Sequence, residues 1–308
     1  MYTPTTIGEP RRLHERRRSR LLPTVACLAL VLGTVGTASA QSAFTRKQLS
    51  GYAKLAASIF VSNRFYDLDG KLNDDGQNLE LYSAALYAEV GVVDQLTVML
   101  DWQVFRANAY AESTTAYGIG DLRLGLKYGL RFGRHHVAAI VAPEFPTGNS
   151  EATVSEETTL VTGRVVERKL GLPTGDGEFN IWNRLAYSVS VNELDAWASA
   201  DFGVNWRTQG FAHQLAMGAE VGHFLLRHVY LMARIRGQLV PSNDLKRGSG
   251  FIFGEGTEFL SVGAGLAAPI PRTPIAATFD WLQIVGLAQN VYAGPQVLFG
   301  ASVEWGPR

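Results

Sequence analysis

The strongest pattern in the chain is strict alternation. In GIGDLRLGLKYGLRFG, Gly118 to Gly133, the residues Leu122, Leu124, Leu126, Tyr128, Leu130 and Phe132 hold one parity, while Asp121, Arg123, Lys127 and Arg131 share the other. On a helix this spacing advances about 200° per step and mixes leucines with charges around the whole circumference. On a strand it separates them onto two faces. A strand from Gly120 to Leu130 is longer than the usual mode of roughly 5–6 residues and matches the roughly 9–11 that a tilted strand needs to cross a bilayer.

The same alternation recurs along the chain. Leu96, Val98, Leu100, Trp102 and Val104 interleave with Thr97, Met99, Asp101 and Gln103, and Val229, Leu231, Ala233 and Ile235 interleave with Met232, Arg234, Arg236 and Gln238. Phe202, Val204 and Trp206 oppose Asp201, Asn205 and Arg207, and Val297, Phe299, Val303 and Trp305 oppose Leu298, Ser302 and Glu304. Twelve such segments are predicted, near 52–63, 78–91, 95–107, 119–131, 135–145, 178–191, 195–208, 211–225, 228–240, 255–268, 275–288 and 296–305. In ATFDWLQIV the apolar parity slips after Trp281, the mark of a bulge.

Connections alternate in length. Short turns fall at Val93-Asp94, 131–134, 192–195, Arg227-His228 and 271–274, and long polar loops at 67–78, 108–118, 146–177 and 241–256. Only the link at Gln209-Gly210 is short where a long one is expected. An even strand number with short turns at one end and long loops at the other predicts an all-β fold, a transmembrane antiparallel up-and-down β-barrel of 12 strands. Arg123 and Lys127 facing lipid at mid-span would each cost roughly 2–4 kcal/mol, so the charged face turns to the lumen. Trp206, Trp305, Tyr128 and Phe132, near segment ends on the apolar parity, suit interfacial girdles.

Composition adds a leader. A basic run, Arg11 to Arg20, precedes the uncharged apolar stretch Leu21 to Ala40, which ends in Ala38-Ser39-Ala40. Residues 1–40 read as a secretory signal peptide cleaved between Ala40 and Gln41, leaving 41–308 as the barrel domain. Cys27 is the only cysteine and lies in that leader, so the remainder has neither disulfide nor thiolate chemistry. The remainder carries 22 basic and 26 acidic side chains with no basic stripe, which argues against a nucleic-acid partner.

Candidate chemistry is sparse. The inward parity collects Lys54, Arg123, Lys127, Arg131, Arg184, Arg207, Arg234 and Arg236 against Glu89, Asp101, Asp121, Glu144, Asp201, Glu220, Asp280 and Glu304. These charges either brace the interior in pairs or line a path for solute. Asp101, Asp121, Arg123, Lys127, Asp201, Arg207, Arg234 and Arg236 are the candidates for lining and selectivity. PEFPTGN (143–149) and GLPTGDGEFN (171–180) stop strands, and the loop between them is long enough to fold into the barrel mouth. Its charges, Glu151, Glu156 and Glu157 against Arg164, Arg168 and Lys169, could pair with the lumen.

Asp67, Asp69, Asp74 and Asp75 fail calcium-loop spacing because Lys71 stands at the third ligand position. His135, His136, His213, His223 and His228 have no metal-ligand spacing, and no serine–histidine constellation is legible. No cofactor, no metal and no enzyme activity are expected.

GIGDLRLGLKYGL followed shortly by PEFPTGN, and more loosely GLPTGDGEFN, resembles bacterial outer-membrane transporter-like proteins of the phenol-degradation meta-pathway family. The resemblance implies a transmembrane barrel and uptake of small hydrophobic or aromatic solutes. The expected protein is a passive channel or transporter in the outer membrane of a Gram-negative bacterium. Its expected partners are outer-membrane lipid and lipopolysaccharide, a small-molecule solute, and the general secretion and barrel-assembly machinery. The competing readings are a non-conducting structural or surface-interaction barrel and a lipid-modifying outer-membrane enzyme.

Overall fold

A computed structural model describes residues 42–159, 165–225, 229–241 and 256–306. The expected signal segment, the expected cleavage junction Ala40-Gln41, His228 and nearly all of the 241–256 loop lie outside the described residues. The alternating segments form strands in chain order: β1 (Gly51–Tyr66), β2 (Leu72–Val93), β3 (Leu96–Tyr110), β4 (Ala116–Gly118), β5 (Leu122–Phe132) and β6 (His135–Phe145). There follow β7 (Thr153–Thr159), β8 (Val165–Gly171), β9 (Asn180–Val191), β10 (Ala196–Trp206), β11 (Gln214–Leu225) and β12 (Val229–Leu239). The last are β13 (Glu258–Pro269), β14 (Ile275–Gln289), β15 (Val291–Tyr292) and β16 (Pro295–Trp305).

Twelve of these close into one antiparallel ring in the order β1, β16, β14, β13, β12, β11, β10, β9, β6, β5, β3, β2 and back to β1. The first and last strands meet directly, Gly51 opposite Trp305 and Phe60 opposite Gln296. Closure leaves no unpaired edge, which is how such a sheet satisfies its backbone where water is absent. The short β4 pairs with β3, β15 pairs with β1, and β7–β8 form a separate hairpin.

The faces divide as the alternation requires. Leu126 and Tyr128 are each 54% exposed on the outside, whereas Lys127 between them is fully buried inside. Trp206, Trp305, Tyr128 and Phe132 all stand on the exposed outer face.

The register shifts at several places, and two of these shifts bear on the expected parity. One lies where Ala84 and Ala85 of β2 oppose Phe105 and Gln103 of β3, skipping Val104. Beyond it Arg106 and Asn108 point inward although the upstream parity would send Arg106 outward. The other lies where Ser261 and Leu260 of β13 oppose Ile284 and Gly286 of β14, four residues past the parity slip read after Trp281.

A candidate functional site: the charged lumen and its two closures

The middle of the bore is filled by ion pairs between facing strands. Lys127 Nζ donates to Glu89 Oε1 at 2.7 Å, and Lys54 Nζ donates to Asp280 Oδ2 at 2.8 Å. Arg123 Nε donates to Glu144 at 2.7 Å, and Arg123 lies 3.3 Å from Asp101. Arg184 donates to Asp201 at 2.6 Å, and both Arg123 and Arg184 stack over Trp182, at 5.1 and 4.6 Å from its ring. Arg234 lies 3.1 Å from Glu220 and 2.8 Å from Asp280, ion pairs whose guanidinium nitrogens are not aligned for hydrogen bonds. Small residues make room for this layer: a Cβ on Gly265 would press on Asp280 and Arg234.

The inner, short-turn end is closed by the segment that precedes β1. Gly91 and Gly129 permit it to lie against the wall, since a Cβ at Gly91 would collide with the Arg46 and Lys47 carbonyls and one at Gly129 with Thr45. Ala43 N–H donates to Ser188 Oγ of β9 at 2.8 Å, and Phe44 packs edge-on against His136 and Trp197. Arg46 N–H donates to Thr97 Oγ1, and its guanidinium donates to Glu89 of β2 and Glu304 of β16, each at 2.8 Å. Lys127 fixes the Phe44 carbonyl at 3.2 Å. Trp197 sits on β10, six strands from β1 in either direction round the ring, so the segment crosses the bore from wall to wall.

At the outer end the described parts of the 146–177 loop are seated on the barrel and held by Asp121. Asp121 Oδ1 accepts Gly148 N–H at 2.9 Å and Oδ2 accepts Asp176 N–H at 2.7 Å. The two Pro-Thr-Gly stretches also bond to each other: Asn149 N–H donates to Thr174 Oγ1 at 3.0 Å and Thr174 N–H to the Asn149 carbonyl at 2.9 Å. Gly148 and Gly175 touch there, and a Cβ on either would strike the other's backbone. From β3, Asn108 donates to the Pro173 carbonyl and Arg106 to the Thr174 carbonyl, both at 2.8 Å. Arg207, just past β10, donates to Glu178 at 3.0 Å and lies 3.6 Å from Asp176.

Above this latch, Val154 and Leu172 of the loop pack with Leu79, Ala116 and Tyr292. Glu151 and Lys169 are exposed, so among the described residues apolar contacts seat the loop and not these two expected charges.

Asp121, Glu144 and Asp176 converge beneath the loop. Burial pushes the Asp176 carboxyl up to about 6, with Glu144 and Asp121 adding to the rise and Arg207 opposing it.

A partly open cavity of about 280 Å3 lies against β1, β2, β3 and the β13–β16 side of the barrel. Phe60, Leu79, Leu81 and Tyr292 give it an apolar wall, and Ser58, Gln103, Arg106 and Asn108 a polar one. For scale, a cavity of about 150 Å3 lined by apolar side chains holds a benzene molecule.

The structure thus brings seven of the eight lining candidates, Asp101, Asp121, Arg123, Lys127, Asp201, Arg207 and Arg234, into ion pairs or backbone bonds. Of the eight, only Arg236 shows no side-chain hydrogen bond or ion pair among the described residues. Arg131 is on the inward parity but sits exposed at the rim, bonded to the Gly133 carbonyl. Sequence reasoning missed Arg46, Arg106, Asn108, Asp176 and Glu178. Arg106 and Asn108 were hidden by the bulge at Val104. The others lie outside the strands, where alternation says nothing.

No family model matches the chain, and no curated protein matches it. Among solved structures it is similar to the COG4313 outer membrane channel from Pseudomonas putida F1, at 14% identity and a TM-score of 0.60 over 88% of this chain and 100% of that one. It is also similar to the translocator domain of the autotransporter NalP from Neisseria meningitidis, at 9% identity and a TM-score of 0.51 over 92% of this chain and 95% of that one. At these identities the likeness speaks for architecture: the chain has the fold of a twelve-stranded outer-membrane barrel.

Proposed function

We propose that this chain is an outer-membrane channel or transporter that passes small hydrophobic or aromatic solutes, in the manner of the phenol-degradation meta-pathway family that its motifs resemble. One observation carries the reading: the barrel holds a half-apolar cavity of about 280 Å3, beside a loop seated at the outer end and a segment that crosses the inner end. A wide water-filled pore has no need of an apolar wall, and a purely structural barrel has no need of an internal cavity near the size of a one-ring molecule. Ion pairs neutralise most of the lumen charges, Arg236 excepted, and hold both closing segments in place. In this reading the solute enters past the loop latched by Asp121 and leaves past the segment held by Arg46. Membrane lipid and lipopolysaccharide surround the outer face, and the leader directs the chain to the secretion and barrel-assembly machinery. The outer face then carries no chemistry of its own, and no enzymatic role is assigned.

The test is solute entry into liposomes carrying the refolded chain, with phenol compared against arabinose and against salt conductance. Entry of phenol well ahead of arabinose is the expected result. A folded barrel that passes none of the three would refute the reading and leave the non-conducting barrel in its place.

A further inference from the structure

Arg236 stands on β12 two residues beyond Arg234, on the same inward parity, opposite Gly218 of β11 and Ser261 of β13. The charges around it are already matched. Asp201 holds Arg184 at 2.6 Å, Glu220 holds Arg234 at 3.1 Å, and Asp280 is shared by Arg234 and Lys54 at 2.8 Å each. Three carboxylates therefore answer three cations, Arg184, Arg234 and Lys54, and Arg236 is a fourth. The charged groups that act on it are Glu220, Arg234, Asp201 and Arg184, the members of those same pairs.

Its register neighbours offer little. Gly218 has no side chain, and the Ser261 hydroxyl donates to the Arg236 backbone carbonyl at 3.4 Å, leaving the guanidinium untouched. Arg236 is only half-buried, and none of its nitrogens is among the buried side-chain atoms left without a hydrogen-bond partner. A guanidinium carries five N–H donors in a flat fork that fits a carboxylate along two parallel bonds. Half-buried without a counter-charge of its own it is incompletely solvated, and an anion that reaches it gains a charge-assisted pair.

We infer that Arg236 is the anchoring cation for the anionic head of a small organic solute, a carboxylate or phenolate on an apolar body. The inference rests on the reading that the barrel passes small apolar molecules, and it narrows that class from neutral hydrocarbons to aromatic acids. The surplus of one positive charge in this part of the lumen has the sign such a head requires, and the cavity walled by Phe60, Leu79 and Tyr292 supplies space for an apolar body during passage. Arg234 cannot serve, because both of its sides are taken.

Calorimetric titration of the refolded chain in detergent micelles tests this with benzoate, with benzamide as the uncharged molecule of nearly the same shape, and with sodium phosphate as an inorganic anion. Folding of each variant is checked by its heat-modifiable migration. Benzoate should bind at least about tenfold more tightly than benzamide, the worth of a charge-assisted hydrogen-bonded pair. In Arg236→Gln that ratio should fall to about one, and Arg236→Lys should restore part of it. Equal binding of benzoate and benzamide, a preference that survives in Arg236→Gln, or phosphate binding as tightly as benzoate would each overturn the assignment. Liposome entry separates this failure from the larger one: if phenol still enters, only the Arg236 assignment falls, and if nothing enters, the passage reading falls with it.

Discussion

Replacing Asp121 by alanine should release the outer loop while leaving the barrel intact. The carboxylate bonds both Pro-Thr-Gly turns at once, through Gly148 N–H at 2.9 Å and Asp176 N–H at 2.7 Å. Hydrogen bonds to a charged acceptor contribute about 1.5–3 kcal/mol each, so losing both costs about 3–6 kcal/mol. Removing one of three crowded carboxylates returns part of this. A net loss of about 3 kcal/mol lowers the ratio of docked to released loop by roughly a hundredfold, at 1.36 kcal/mol per factor of ten. The contacts of Val154 and Leu172, the Asn149–Thr174 bonds and the Asn108 bond remain, so the loop is loosened and not unfolded. Hydrogen–deuterium exchange of the refolded chain reads this directly. Amides of 146–150 and 172–178 should exchange roughly a hundredfold faster in Asp121→Ala, and amides of β9 to β13 should be unchanged. Asp121→Asn keeps one acceptor oxygen and should fall between the two. Unchanged exchange in the two turns would mean that the carboxylate does not hold the loop, and the latch would have to be abandoned.

Three further outcomes follow from the same geometry. Arg234→Gln strips Glu220 and Asp280 of a shared cation and should destabilise the barrel by about 3–5 kcal/mol, seen as a lower temperature for loss of heat-modifiable migration, whereas unchanged migration would deny the pair any structural weight. Deleting residues 42–49 removes Arg46 and Phe44 from the inner end and should raise single-channel conductance several-fold or more, and a conductance equal to wild type would show that the segment does not obstruct the bore. Asp176 titrates near 6 when docked against an ordinary 3.8, so docking is favoured most below 3.8 and loses up to roughly 3 kcal/mol as pH rises through 6. Exchange at 172–178, corrected for intrinsic rates, should accelerate over that window, and Asp176→Asn should flatten the profile.

The barrel was legible in the sequence because alternation is a local property. Whether Lys127 faces in and Leu126 out follows from the pleat alone, and twelve stretches of that pattern specify twelve strands whatever their partners. The parity slip after Trp281 was read as a bulge, but the register runs unbroken through Ile284 and the bulge on β14 lies at Val285. The charged lumen was legible as a set, since inward parity names its members. Pairing was not. Lys54 finds Asp280 across 226 positions of sequence and Arg46 finds Glu304 across 258, choices fixed by ring closure between β1 and β16.

Loop length suggested that 146–177 could enter the mouth, but the bonds that seat both closing segments were decided by tertiary structure. Segments 42–50 and 172–178 have no period to read, and their positions come from single bonds to Thr97, Ser188 and Asp121. The bulge at Val104 turned Arg106 and Asn108 from the expected outer face to the latch. Arg236 shows the division best. Sequence placed it in the lumen beside Arg234 as an equal, and only the geometry of the carboxylates, two of them flanking Arg234 and none bonded to Arg236, made one a brace and left the other unanswered.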